Sequence, residues 1–105
     1  MSYVLINKLT TKPGKRNEVI DILLKSGRTF DANDACELYL VSEDKKDDNI
    51  IWVQDIWKDA ESHSQAMQDE TMRTYVQQAM PLLEGMPEQI ELSAAGGKHP
   101  FDLTN

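Results

Sequence analysis

Residues 50 to 57, IIWVQDIW, narrow the possible folds more than any other stretch. The run is apolar and follows the turn-like EDKKDDN of residues 43 to 49, so it reads as a strand returning from a hairpin. Trp52 and Trp57 are five residues apart, an odd separation that sends them to opposite faces. Ile51 and Val53 go with Trp57, whereas Gln54 and Ile56 go with Trp52. The two indoles cannot line one pocket: one packs under helices or edges a cavity, and the other faces a second sheet.

The rest of the chain supplies matching elements. Tyr3 to Thr10, YVLINKLT, carries apolar side chains on both faces and breaks at Pro13-Gly14. From Lys15 to about Arg28, Val19, Ile22, Leu23 and then Phe30 follow the spacing of an amphipathic helix. CELYLVS, residues 36 to 42, is a strand with Cys36, Leu38 and Leu40 on one face and Glu37, Tyr39 and Val41 on the other. Asp59 is placed to cap a helix starting near Ala60, with Glu61 in its first turn. The helical pattern runs on through Met72, Val76 and Ala79, with a break expected near Gln68 to Glu70 and an end at Met80 before Pro81. QIELSA, residues 89 to 94, is a last strand with Ile90 and Leu92 on one face.

The order strand, helix, strand, strand, helix, strand predicts a ferredoxin-like α+β domain, βαββαβ, with a four-stranded antiparallel sheet and helices on one face. Residues 1–97 form this single domain, and residues 98–105 are a polar tail whose Phe101 is suited to dock on a partner surface. The open face of the sheet carries apolar residues, and pairing two copies through their sheet faces would cover them. A domain of 105 residues buries only about two-thirds of its extended surface, so such cover adds stability.

Charge excludes several functions. Eleven Lys and Arg against 18 Asp and Glu give a net charge of -7, unsuited to general nucleic-acid binding or to an anionic membrane. No segment approaches the roughly 18 apolar residues of a membrane span, and MSYVLINKLT lacks the pattern of a signal peptide. A cytoplasmic location is expected, in keeping with a single cysteine, Cys36. That cysteine, in mid-strand and without a histidine nearby, reads as a small buried hydrophobe. Two histidines and one cysteine show no zinc spacing, residues 43 to 49 lack the glycine and terminal glutamate of a calcium loop, and no phosphate-cradling glycine motif occurs. No metal and no cofactor are expected.

Two residues stand out for chemistry. His63 titrates near neutrality and lies one helical turn past Asp59, which makes it the candidate base. Its plainer reading is a solvent-facing helix histidine bonded to Asp59. Asn7 shares a face with Leu5 and Leu9, so its amide points where apolar groups point and needs a partner or a cavity. Trp52 and Trp57, taken singly, and Tyr39, Tyr75, Met67 and Met72 are core residues first and pocket lining second; adaptable Met side chains suit a flat ligand.

The ordered set LTTKPGK, ELYLVSE, IWVQDIWKDAESH, Arg73 with Ala79 and PLL, and PEQIEL before Gly96-Gly97 resembles the antibiotic biosynthesis monooxygenase family of dimeric α+β barrel proteins. The resemblance implies oxygenation of electron-rich phenolic or quinol-like compounds without metal or flavin, in an apolar cavity between sheet and helices. A deprotonated phenol can itself give an electron to oxygen, so the protein must bind, orient and deprotonate. His63 and Asn7 are then the catalytic candidates, with Trp57, Tyr39, Met67, Met72, Arg73 and Val76 binding a small aromatic molecule. A related haem-degrading group has an asparagine in its first strand, matched by Asn7, but its tryptophan and histidine fall at Ala66 and about Val76, which disfavours haem. Two alternatives remain. One is an isomerase of small carbonyl compounds, for which Arg73 is the best-placed helical arginine; the other is a non-catalytic dimeric binding or stress-related module.

Overall fold

The computed structural model describes residues 2–98. Four strands make one antiparallel sheet in the order β2-β3-β1-β4: β1 (Tyr3–Thr10), β2 (Cys36–Glu43), β3 (Ile50–Trp57) and β4 (Glu88–Ser93). Helices α1 (Arg16–Gly27), α2 (Ala60–Met67) and α3 (Glu70–Ala79) complete a ferredoxin-like α+β fold. The predicted tail, with Phe101, lies almost wholly outside the described residues.

Local chemistry places each boundary. After β1, Gly14 takes φ 77°, a left-handed turn that a residue without Cβ adopts freely. The β2–β3 turn is pinned by Asp44, whose Oδ2 accepts from the amides of Lys46 at 3.0 Å and Asp47 at 2.9 Å. Asp59 Oδ1 accepts from the Ser62 amide at 2.7 Å and Asp69 Oδ2 from the Met72 amide at 3.1 Å, so α2 and α3 are separate capped helices. Met80 before Pro81 keeps helical dihedrals in a short 3₁₀ turn, Met80–Leu82, and the chain leaves helical geometry at Leu83.

The strand register sorts side chains into two faces. The outer face carries the cross-strand rows Leu38, Ile56, Val4, Leu92 and Leu40, Gln54, Ile6, Ile90, with Leu40, Ile90 and Leu92 about half exposed. Trp52 also lies there, its Nε1 donating to Asp44 Oδ1 at 2.9 Å. The inner face meets the helices in two buried clusters. Leu9, Val19, Ile51, Val53 and Leu83 form one, and Phe30, Trp57 and Met72 the other. Each fully buried side chain of this kind contributes roughly 1.5–3 kcal/mol.

One predicted face is corrected. Cys36 does not go with Leu38 and Leu40; it packs with Tyr39 against the Phe30, Trp57 and Met72 cluster. The register shifts between Cys36 and Leu38, and the extra residue, Glu37, resets the alternation.

Candidate active site

An apolar cavity of about 300 Å³ lies between the inner face and the helices and touches both core clusters. Strands contribute Asn7, Tyr39, Val53, Asp55 and Gln89; helices contribute His63, Met67, Met72, Tyr75 and Val76. Asn7 and His63, the two catalytic candidates, therefore share one cavity. A more open groove of about 470 Å³ runs beside α2. It holds none of the expected site residues, and its one acid, Asp69, is occupied in capping α3. The smaller cavity is the better site on chemistry.

Its most consequential residue is Asp55, which is not among the expected site residues. Asp55 is 5% exposed and stands on the inner face beside Leu5 and Tyr39. The signal was present: Asp55 keeps the phase of Ile51, Val53 and Trp57, so an acid occupies a buried position of the strand. Its Oδ2 accepts from Trp57 Nε1 at 2.6 Å. Burial raises its pKa from 3.8 to about 6, against the pull of that hydrogen bond. At roughly 1.4 kcal/mol per unit the rise costs about 3 kcal/mol at neutral pH, comparable to one core side chain.

His63 comes down from α2 onto this acid. Its Nε2 lies 4.0 Å from Asp55 Oδ2, and its ring packs edge-on against Trp57 at 5.4 Å between centroids. Burial lowers its pKa, and the charge of Glu91 opposes that fall. At 4.0 Å the pair is a near contact rather than a hydrogen bond, and burial governs the proton affinity of both. Near neutral pH the site holds an ionised carboxylate beside a neutral imidazole, both able to take a proton.

The other expected residues divide. Tyr39, Met67, Met72 and Val76 line the cavity. The Tyr39 hydroxyl donates to the Leu23 carbonyl at 3.2 Å, fixing the ring across α1. Trp57 is fully buried and does not line the cavity; it acts on it through Asp55. Arg73 is exposed on α3 and also stays outside, because it follows the buried Met72 and so points about 100° away from the packed stripe. Among the described residues no Lys or Arg lines the cavity, and no cluster of three His, Cys, Asp or Glu could hold a metal. No helix among them is long and apolar enough to cross a membrane.

A sequence model of the antibiotic biosynthesis monooxygenase family matches residues 2–78. Among solved structures, a Chloroflexus aurantiacus protein assigned to antibiotic biosynthesis monooxygenases is 28% identical. The match covers 94% of this chain and 98% of that one, with a TM-score of 0.84. A Caulobacter crescentus protein with the same assignment is 17% identical over 90% of this chain and 91% of its own, TM-score 0.84. SnoaB from Streptomyces nogalater, a cofactor-independent oxygenase, shares the fold at 12% identity, covering 91% and 95% of the two chains with a TM-score of 0.80. A search of curated proteins found no match.

Proposed function

Because this chain belongs to the antibiotic biosynthesis monooxygenase family, we propose that its cavity oxygenates a small phenolic or quinol-like compound with molecular oxygen and without a bound cofactor. The observation that carries this reading is the buried Asp55, held by Trp57 and backed by His63 in the wall of an apolar cavity. A carboxylate with a pKa of about 6 is matched to deprotonating a weak acid near neutral pH. Structural likeness to a cofactor-independent oxygenase adds support.

The proton of the substrate hydroxyl passes to Asp55, and Asn7 offers its amide to a substrate oxygen. The resulting phenolate gives an electron to oxygen, and a carbon–oxygen bond forms between ring and dioxygen. The O–O bond then breaks: one oxygen atom stays on the substrate, and the other leaves as water with the two hydrogens the substrate has lost. Oxygen is the only oxidant required. Among the described residues the isomerase alternative finds no Lys or Arg in the cavity wall to hold a phosphate.

The same reading takes the active unit to be a homodimer, two copies meeting through their outer sheet faces, supported by the half-exposed Leu40, Ile90 and Leu92. It takes residues 1–97 as the domain, 98–105 as an appended tail, and the cytoplasm as the location, in keeping with the free thiol of Cys36.

Oxygen uptake by metal-free, flavin-free protein with a hydroquinone panel tests the proposal. Turnover is expected, with kcat/KM rising through about pH 6 and falling about 10²-fold or more in Asp55→Asn. No uptake with any compound, or an undiminished Asp55→Asn, would sink it; a bound compound that is never turned over would favour the binding-module reading.

A further inference from the structure

Asp55 has a counterpart across the sheet. Leu5 on β1 pairs with Asp55 on β3 and with Glu91 on β4, so the two acids stand on one face, a strand to either side of it. With strands about 4.8 Å apart, their backbones are about 10 Å apart, and Leu5 between them is fully buried. His63 sits above this gap. Its ring packs over the adjacent pair, Tyr3 and Trp57, at 5.9 Å and 5.4 Å between centroids. The Tyr3 hydroxyl donates to Glu91 Oε2 at 2.5 Å, which ties the second carboxylate to the ring that the imidazole packs against.

We propose that Glu91, positioned by Tyr3, completes a carboxylate–imidazole–carboxylate set with Asp55 and His63 that stores the substrate's proton between the two halves of the reaction. The role rests on the base function proposed above for Asp55. The proton leaves the substrate oxygen for Asp55 and moves on to His63 Nε2 as a small shift of the imidazole closes the 4.0 Å gap to hydrogen-bond distance. Asp55 is ionised again, and the imidazolium carries the charge between two carboxylates. When the O–O bond breaks, the same proton returns through Asp55 to the departing oxygen, and water leaves. Burial alone makes His63 a poor acceptor, and Glu91 is the group that opposes burial. The groups facing the imidazole are Asp55 from β3, Tyr3 from β1 and Glu91 from β4; on its own helix the Asp59 side chain is engaged by the Ser62 amide. Glu91 lies beyond residues 2–78, outside the stretch matched by the family.

An NMR titration of His63 in the full chain tests this without relying on turnover, its signal being assigned by its loss in His63→Gln. The midpoint should fall in Glu91→Gln, return towards wild type in Glu91→Asp, and lie between the two in Tyr3→Phe. The same midpoint in wild type and Glu91→Gln overturns the three-group set. In turnover, Glu91→Gln should lose about tenfold in kcat; a kcat equal to wild type across the pH range overturns the storage role even if the titration moves. Absence of oxygen uptake by wild type removes the oxygenase reading and the storage role together, while the titration alone still decides whether the set exists.

Discussion

The indole N–H of Trp57 and the carboxylate of Asp55 are two residues apart on β3 and 2.6 Å apart in space. Both point to the inner face because they are an even number of residues apart. The bond favours the ionised acid and burial opposes it, and burial prevails far enough to leave the pKa at about 6. A buried acid with no donor would stay protonated at higher pH, and an exposed one would be too weak a base.

Asp55→Asn should stabilise the fold at pH 8 by about 2–3 kcal/mol while cutting kcat/KM about 10²-fold or more. The folded pKa, about 6, lies above the unfolded 3.8, so the contribution of Asp55 to wild-type stability is greatest below about pH 4 and is lost as pH rises through about 6. The amide carries no such penalty and still offers an oxygen to Trp57. Urea unfolding at pH 8 and below pH 4 should show a gain that disappears in acid; a variant less stable than wild type at pH 8 contradicts the assignment.

Trp57→Phe should shift the acid limb of kcat/KM to higher pH. Without the indole donor, burial acts on Asp55 alone and raises its pKa further. The lost hydrogen bond to a charged group also costs about 1.5–3 kcal/mol. A pH–rate profile superimposable on wild type would remove Trp57 from the control of the acid.

Gly27→Ala, a change that usually favours a helix, should destabilise this one by about 1–3 kcal/mol. A Cβ on Gly27 would stand 2.6 Å from two carbons of the Tyr39 ring, which is tied to the Leu23 carbonyl and cannot swing aside freely. The ring would be pushed towards the cavity, so ligand affinity should fall with the melting temperature. Unchanged thermal unfolding would show that the ring yields without cost.

Ile90→Glu puts a charge on the edge strand of the outer face, beside the half-exposed Leu92 and at the β4 end of the Leu40, Gln54, Ile6 row. Wild type should run as a dimer in light scattering and the variant as a monomer with unchanged far-UV circular dichroism. A monomeric wild type refutes pairing through this face.

Much of this was legible in the residues. Alternating apolar side chains set β1 and β3, Asp59 marks the start of α2, and the break expected near Gln68 to Glu70 falls where Asp69 caps α3. Asp55 is missed because only apolar side chains reveal period two at a glance, although its inward phase is as plain as that of Val53. The inward face of Cys36 is hidden from the sequence because its bulge depends on pairing with β3, and CELYLVS contains no glycine or proline to announce it. For Arg73 the guanidinium suggests a ligand contact, whereas its helix phase beside the buried Met72 places it outside the cavity.

Within the sheet β4 hydrogen-bonds to β1 alone, and none of its six residues is buried. Its amides should therefore exchange with solvent by local fraying, well below the free energy that opens β1 and β3. Gln89 and Glu91 ride on that strand. The cavity thus has one wall that can breathe while the Asp55 wall, locked in the middle of the sheet, keeps its geometry.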